Sequence, residues 1–291
     1  MTITASLVKE LRERTGAGMM ECKKALVETG GDLDAAVELL RKSGQAKADK
    51  KSGRIAAEGR VSIRSEGSKA AILEVNSETD FVAKDDNFVA YTDSVADAVL
   101  ASGTTDTGAL ASVALADGRD VETARTELVA KVGENISVRR AELVESSGVI
   151  GAYTHGAKIG AVVAIDGGDD ALARDIAMHV AATNPMCVDE SGVPAETLEN
   201  ERRILTEQAQ DSGKPAEIIE KMVNGRVQKY LKEITLVGQP FVKDPDVTVG
   251  KLLSEAGATV TGFVRYEVGE GIEKKEDNFV EEVMAQVKGA S

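Results

Sequence analysis

Apolar residues recur every three or four positions through the first 44 residues, and this spacing predicts three short helices. Thr4 is placed to cap the first, whose inward face is Leu7, Val8 and Leu11 before Gly16 ends it. The turn Thr15-Gly16-Ala17-Gly18 leads into a second helix, Met19 to Glu28, with Ala25, Leu26 and Val27 expected to face inward. Gly30-Gly31 breaks that helix. Asp32 caps a third, with Leu33, Ala36, Val37 and Leu40 inside and Gly44 expected at its end. Residues 45 to 59, rich in Lys, Ala and Gly, read as a linker with some helical tendency.

The period then shortens to two. Val61-Ser62-Ile63-Arg64 alternates like a strand, Ser65-Glu66-Gly67-Ser68 turns, and Lys69 to Val75 returns. A helix is predicted from about Asn87 to Leu100, with Phe88, Tyr91, Val95 and Val99 on one side. Two more helices follow near 109–116 and 120–133, and a third strand spans Ile136 to Leu143. The same plan returns at Val149 to Tyr153, the turn Thr154 to Ala157, the strand Lys158 to Ile165 and the helix Asp170 to Ala182. Two related α+β subdomains are expected, each a small antiparallel sheet with helices on one face.

Between Pro194 and Glu233 the apolar stripe narrows. Leu198, Leu205 and Ala209 answer Ile219, Met222, Val223, Val227 and Tyr230, which predicts an antiparallel coiled coil projecting from the body. Thr259 to Val268 is expected to complete the second sheet, and Asp277 to Val287 to form a last helix. The fold class is α+β. Its expected divisions are 1–54 (a three-helix domain and linker), 55–145 and 146–265 (the two core subdomains, the second carrying the coiled coil at about 194–233), and 266–291 (a C-terminal module).

Composition narrows the function classes. A length of 291 residues allows about two domains with real cores. No apolar run approaches the ~20 residues of a membrane span, and the N-terminus has no basic start followed by an apolar stretch. Cys22 and Cys187 lie far apart, outside any CxxC spacing, so free thiols in a reducing cytoplasm are expected. The net charge of −14 argues against a nucleic-acid binder. Only Arg41, Lys42, Lys47, Lys50, Lys51 and Arg54 run the other way; they read as a solvated tether, with a contact to ribosomal RNA as the alternative.

Catalytic signatures are missing. His155 and His179 have no metal-ligand spacing, and there is no GxxxxGK[ST] loop, GxGxxG turn or GxSxG elbow. No metal, cofactor or covalent chemistry is expected. His179, near an apolar helix face, suits a structural role; His155, at a hairpin tip, should be exposed. The stretch Asn76-Ser77-Glu78-Thr79-Asp80-Phe81-Val82-Ala83-Lys84 stands out. Thr79 can cap a helix whose first turn holds Asp80. Phe81 precedes the regular apolar period, in a chain only 3% aromatic. Its ring either anchors the helix, the commoner fate of Phe, or faces outward as a contact point. Met19-Met20 offers an adaptable apolar surface or equally fills the small core.

Long motifs identify a relationship. Ile3 to Met20, Glu74-Val75-Asn76, Thr79-Asp80-Phe81-Val82-Ala83, Gly133-Glu134-Asn135-Ile136, His155 to Gly160, Ala177 to Ala182, Gly238-Gln239-Pro240-Phe241 and Val268 to Glu273 follow one another in order. Over essentially the whole chain they resemble the bacterial elongation factor Ts family. The resemblance implies a ubiquitin-associated-like N-terminal domain and a guanine-nucleotide exchange factor for elongation factor Tu. It implies that Thr79, Asp80, Phe81 and Val82 enter the G domain of Tu beside its Mg²⁺ and phosphate site. Secondary contacts are implied for Arg12, Met19, Met20 and His155. Residues 101–120 and the coiled coil depart most from the family pattern, so a dimer of heterodimers with Tu is left open. The rival reading is a ubiquitin-associated-like adaptor that binds a partner without promoting exchange.

Overall fold

The structure, a computed structural model, describes residues 3–210 and 215–273. It opens with α1 (Ala5–Thr15), α2 (Met19–Glu28) and α3 (Leu33–Lys51). Thr4 Oγ1 accepts the Leu7 N–H at 3.3 Å, and Asp32 Oδ1 accepts the Ala35 N–H at 3.0 Å, so both expected caps form. Val8, Leu11, Cys22, Ala25, Leu26 and Ala36 make a small separate core.

Two expectations fail here. Val27 is 62% exposed, because Cys22, Ala25 and Leu26 already fill the inward stripe and the next residue turns about 100° away. Gly44 does not end the third helix, and the supposed linker is largely helical to Lys51. Gly44 is buried against a neighbouring helix, with Ala130 Cβ 3.7 Å from where its own Cβ would stand. Ala48, one turn on, packs into the main core, and this docking outweighs the low helix propensity of one glycine.

The chain continues through β1 (Glu58–Glu66), β2 (Lys69–Ser77), α4 (Asp80–Ala83), α5 (Asp86–Ser102), α6 (Thr107–Leu110), α7 (Val121–Val132) and β3 (Ile136–Glu145). These strands form an antiparallel sheet in the order β1-β2-β3. Next come β4 (Val149–His155), β5 (Ile159–Asp166), α8 (Asp170–Thr183), α9 (Ala195–Gln210) and α10 (Ala216–Ile234). A small hairpin, β6 (Pro240–Phe241) and β7 (Asp244–Thr248), leads to α11 (Val249–Glu255) and β8 (Thr259–Glu267). The second antiparallel sheet has the order β4-β5-β8.

The central strands explain the layering. β2 is buried from Ala70 to Ser77 and β5 from Gly160 to Ile165, a continuous run where a half-exposed strand would alternate. One face of β2, through Ala71, Leu73 and Val75, packs on α5 and α7; the other meets the second sheet. In β5, Ala161, Val163 and Ile165 pack on α8 and α11, and Val162 faces back. The sheets approach so closely that a Cβ on Gly160 would stand 2.5 Å from Val61 Cγ1. Helices therefore cover the two outer faces of a pair of stacked sheets.

The hairpin α9–α10 is held by Leu205, Ala209, Val223, Val227 and Leu231. Leu231, four residues beyond Val227, takes the seam place expected of Tyr230, which is half-buried. The last predicted helix, Asp277 to Val287, lies outside the described residues. Among the described residues no helix is long and apolar enough to cross a membrane.

Candidate functional site

The loop between β2 and α5 is built by two caps in succession. Thr79 Oγ1 accepts the Val82 N–H at 3.4 Å and opens the single turn α4; Asp85 Oδ1 accepts the Asn87 N–H at 2.9 Å and opens α5. Ser77 Oγ donates to the Thr79 carbonyl at 2.9 Å, tightening the exit from the sheet. Ala83 is buried in the core and Val82 packs half-buried beside it. With those two facing in, Phe81 turns out and is 82% exposed. Neighbouring Asp80 takes an ion pair from Lys84 Nζ at 2.6 Å, and this hydrogen bond holds its carboxyl below the usual range. The arrangement sets an apolar ring beside a charge, on a short, well-tied turn.

The loop is also tied sideways. Glu134 accepts from the Thr79 N–H at 3.0 Å and from Thr79 Oγ1 at 2.7 Å, while Glu78 accepts the Asn135 N–H at 2.6 Å. The sequence motif Gly133-Glu134-Asn135-Ile136 carried no assigned role, and nothing local in it points to Thr79, 55 residues away.

His155 lies at the exposed tip of the β4–β5 hairpin, its Nδ1 3.3 Å from the Tyr153 hydroxyl. The Val61 N–H donates to the Ala157 carbonyl at 2.9 Å, and the Lys158 ammonium pairs with Glu58. Glu58 stands opposite Ser77 in the β1–β2 ladder, so the structure brings the His155 hairpin to the foot of the Phe81 loop. Arg12, Met19 and Met20 are exposed on the N-terminal helices instead. Met20 is 75% exposed and Val27, seven residues on, shares its face of α2, so Met20 does not fill the core.

His179 is a packing residue. Fully buried, it accepts the Val242 N–H on Nδ1 at 3.2 Å, which leaves the Nε2 proton for Gln239 Oε1 at 3.0 Å. Burial pushes its pKa down, in keeping with a neutral ring. Among the described residues no group of His, Cys, Asp and Glu could hold a metal ion.

A buried carboxylate sits behind the loop. Glu74 accepts from Gly269 N–H at 2.7 Å, Asn76 Nδ2 at 3.0 Å, Arg140 Nε at 2.7 Å and Arg139 Nη1 at 3.1 Å. A bulge in the β2–β3 ladder at Glu74 brings the successive Arg139 and Arg140 to the same carboxylate. Burial opposes the charge, yet the Gly269 N–H, Asn76 and Arg140 together hold its pKa below the ordinary value. The Glu74-Val75-Asn76 and Val268–Glu273 motifs thus form one clasp between the sheets.

The family model for elongation factor Ts matches residues 78–270. Proteins named elongation factor Ts from Thioalkalivibrio sulfidiphilus (64% identical), Alkalilimnicola ehrlichii (62%) and Methylococcus capsulatus (62%) align over the full length of this chain and of their own. The chain belongs to the elongation factor Ts family. The matched span begins at the Phe81 loop and runs to the Glu270 turn, so it contains that loop, β3, the whole second sheet and the α9–α10 hairpin, while β1 and β2 lie before it. Membership gives the chain a role in the elongation stage of protein synthesis.

Proposed function

We propose that this protein is a guanine-nucleotide exchange factor that binds elongation factor Tu with GDP bound, and that the Thr79–Val82 loop enters the Mg²⁺ and phosphate site of Tu. The observation that carries this reading is Phe81: the most exposed large apolar residue among those described, on a turn fixed from both sides. Exposed apolar surface on a rigid mount gains by being covered, and a pre-ordered ring loses little entropy on insertion. Asp80 places a carboxylate beside the ring. Brought near a Mg²⁺ site, that charge competes with phosphate oxygens for the cation, the largest local charge there.

Exchange is a matter of coupled affinities. The factor speeds GDP release because it binds nucleotide-free Tu more tightly than the GDP complex, and the coupling is reciprocal. Shifting a balance from 1:99 to 99:1 takes about 5.5 kcal/mol of differential affinity. One buried Phe contributes roughly 2–3 kcal/mol, so Phe81 needs help. The His155 hairpin beside the loop supplies a second contact. Met19 and Met20, with Arg12 on the adjoining helix, supply a third. GTP then rebinds and displaces the factor; no covalent step takes place on this chain.

The test follows release of fluorescent GDP from Tu against excess unlabelled nucleotide. Wild type accelerates release, and Phe81→Ala slows the accelerated rate about tenfold or more, in line with the loss of about 1.4 kcal/mol or more of coupling. A Phe81→Ala rate within a factor of two of wild type removes the wedge role. Binding to Tu with no acceleration at all favours the adaptor reading, which the exposed Met19–Met20 face suits.

A further inference from the structure

The carboxylates of Glu78 and Glu134 each reach into the other's loop. Glu134 receives both the N–H and the hydroxyl of Thr79, at 3.0 and 2.7 Å; Glu78 receives the Asn135 N–H at 2.6 Å. Arg54 adds a longer contact to Glu78 at 3.5 Å. Asn135 continues the network, donating from Nδ2 to the carbonyls of Arg54 at 2.8 Å and Ser52 at 3.3 Å. The Lys51 ammonium donates to the Gly133 carbonyl. The end of α3, the turn before β3 and the base of the Phe81 loop are therefore bonded to one another.

The consequence falls on Thr79. Its hydroxyl has one proton, given to Glu134, and its oxygen accepts the Val82 N–H, so the side chain has one orientation that satisfies both. The cap bond to Val82 is long, at 3.4 Å, whereas the two bonds to a carboxylate are shorter, at 3.0 and 2.7 Å, and charge-assisted. A helix of a single turn has almost no stability of its own. The direction of Asp80 and Phe81, the next two residues, is then set by the brace behind them. Glu134 lies behind the loop and acts on Phe81 only through Thr79.

We infer that Glu134 is a positioning residue for nucleotide exchange: by clamping the N–H and hydroxyl of Thr79 it holds the one-turn helix that aims Phe81, and with Glu78 and Asn135 it ties that helix to the N-terminal domain through the end of α3. The inference rests on the exchange reading above. Displacing a group by about 1 Å at a reacting geometry costs up to about a hundredfold in rate. Loosening one turn without removing it should cost less, about tenfold.

The experiment uses the full chain and the same GDP-release assay with Tu. Glu134→Ala lowers the maximal release rate about tenfold and moves the half-saturating concentration less than about threefold, since the other contacts still hold the complex. Glu134→Gln, whose amide can accept from the Thr79 N–H and donate to its Oγ1, restores most of the rate. In a Phe81→Ala background, Glu134→Ala adds less than about a further twofold, because both changes act on one contact. Should the alanine variant not fold, Glu134→Asp, one methylene short of Thr79, carries the same cycle. A Glu134→Ala rate equal to wild type while Phe81→Ala is slow overturns this inference alone, as does the same tenfold loss in both backgrounds. A wild-type chain that leaves GDP release unchanged overturns the exchange reading, and this inference with it.

Discussion

β2 and β5 hold matching places, each the centre of a three-stranded antiparallel sheet, each entered through a hairpin with a left-handed glycine, Gly67 or Gly156, and each followed by a helix. What lies between strand and helix differs. After β2, residues 78–85 form a capped turn with Phe81 outside and acids bracing it from behind. After β5, only Gly167, Gly168 and Asp169 intervene, and a Cβ on Gly167 would stand 2.4 Å from the Gly257 carbonyl oxygen. The strands differ in the same sense. The inter-sheet face of β2 carries Glu74 and Asn76, whereas that of β5 carries Gly160, Val162 and Ala164. Dispersion packing is non-directional and tolerates small shifts; hydrogen bonds to carboxylates fix angles. The half that presents the proposed contact loop is the half held by directional bonds.

Substitutions at three positions probe that contrast. The largest effect is expected at Glu74. Glu74→Ala leaves Arg139 and Arg140 facing each other without their carboxylate and costs about 3 kcal/mol in urea unfolding, the low end for breaking a buried pair because both arginines can still reach water. This clasp also has a pH signature. A carboxyl whose folded-state pKa lies below its unfolded value of 4.5 stabilises the fold above that pH, and the contribution is lost as pH falls through the folded pKa. Wild type should therefore lose stability below about pH 4.5 more steeply than Glu74→Gln. Parallel curves would show that the clasp contributes no net charge stabilisation.

Gly167→Ala comes next, at about 1–3 kcal/mol. The position has φ +77° and no room for a methyl beside the Gly257 carbonyl, so either the loop or α11 must shift. A thermal midpoint unchanged from wild type would mean that the second loop shifts freely enough to admit a methyl group. Smallest is the effect of Phe81→Ala on stability, below about 0.5 kcal/mol, because an exposed ring leaves no cavity. The same variant is the one expected to slow GDP release, and that separation of stability from function is the sharpest form of the comparison. A large loss of stability would place Phe81 among the residues that hold the fold.

Much of this architecture can be read from local pattern. Thr4, Asp32 and Thr79 announce helix starts because a cap needs only its own residue and the next turn. Both hairpins and the α9–α10 seam follow from periods of two and about three and a half that a few residues suffice to show. The errors have two sources: Gly44 looks like a helix end until the distant Ala130 is seen packed against it, whereas Val27 looks inward until its own helix neighbours are seen to fill the stripe. Residues 240–255, which form β6, β7 and α11, have elements too short to raise a periodic signal.

By itself the sequence determined most of the longer helices, the β1–β2 and β4–β5 hairpins, the α+β class, the family, and the place of the Thr79–Val82 loop, since each depends on residues within a turn or two or on motifs read in order. Only the tertiary structure decided that Phe81 points outward, that Glu134 clamps Thr79 across 55 residues, and that Glu74 meets Gly269 across 195. The physical reason is one of range. Caps and periods are properties of neighbouring residues, but the direction of a side chain on a single turn is set by whatever packs or bonds behind it, and here that comes from the start of the adjoining strand, 55 residues away in sequence.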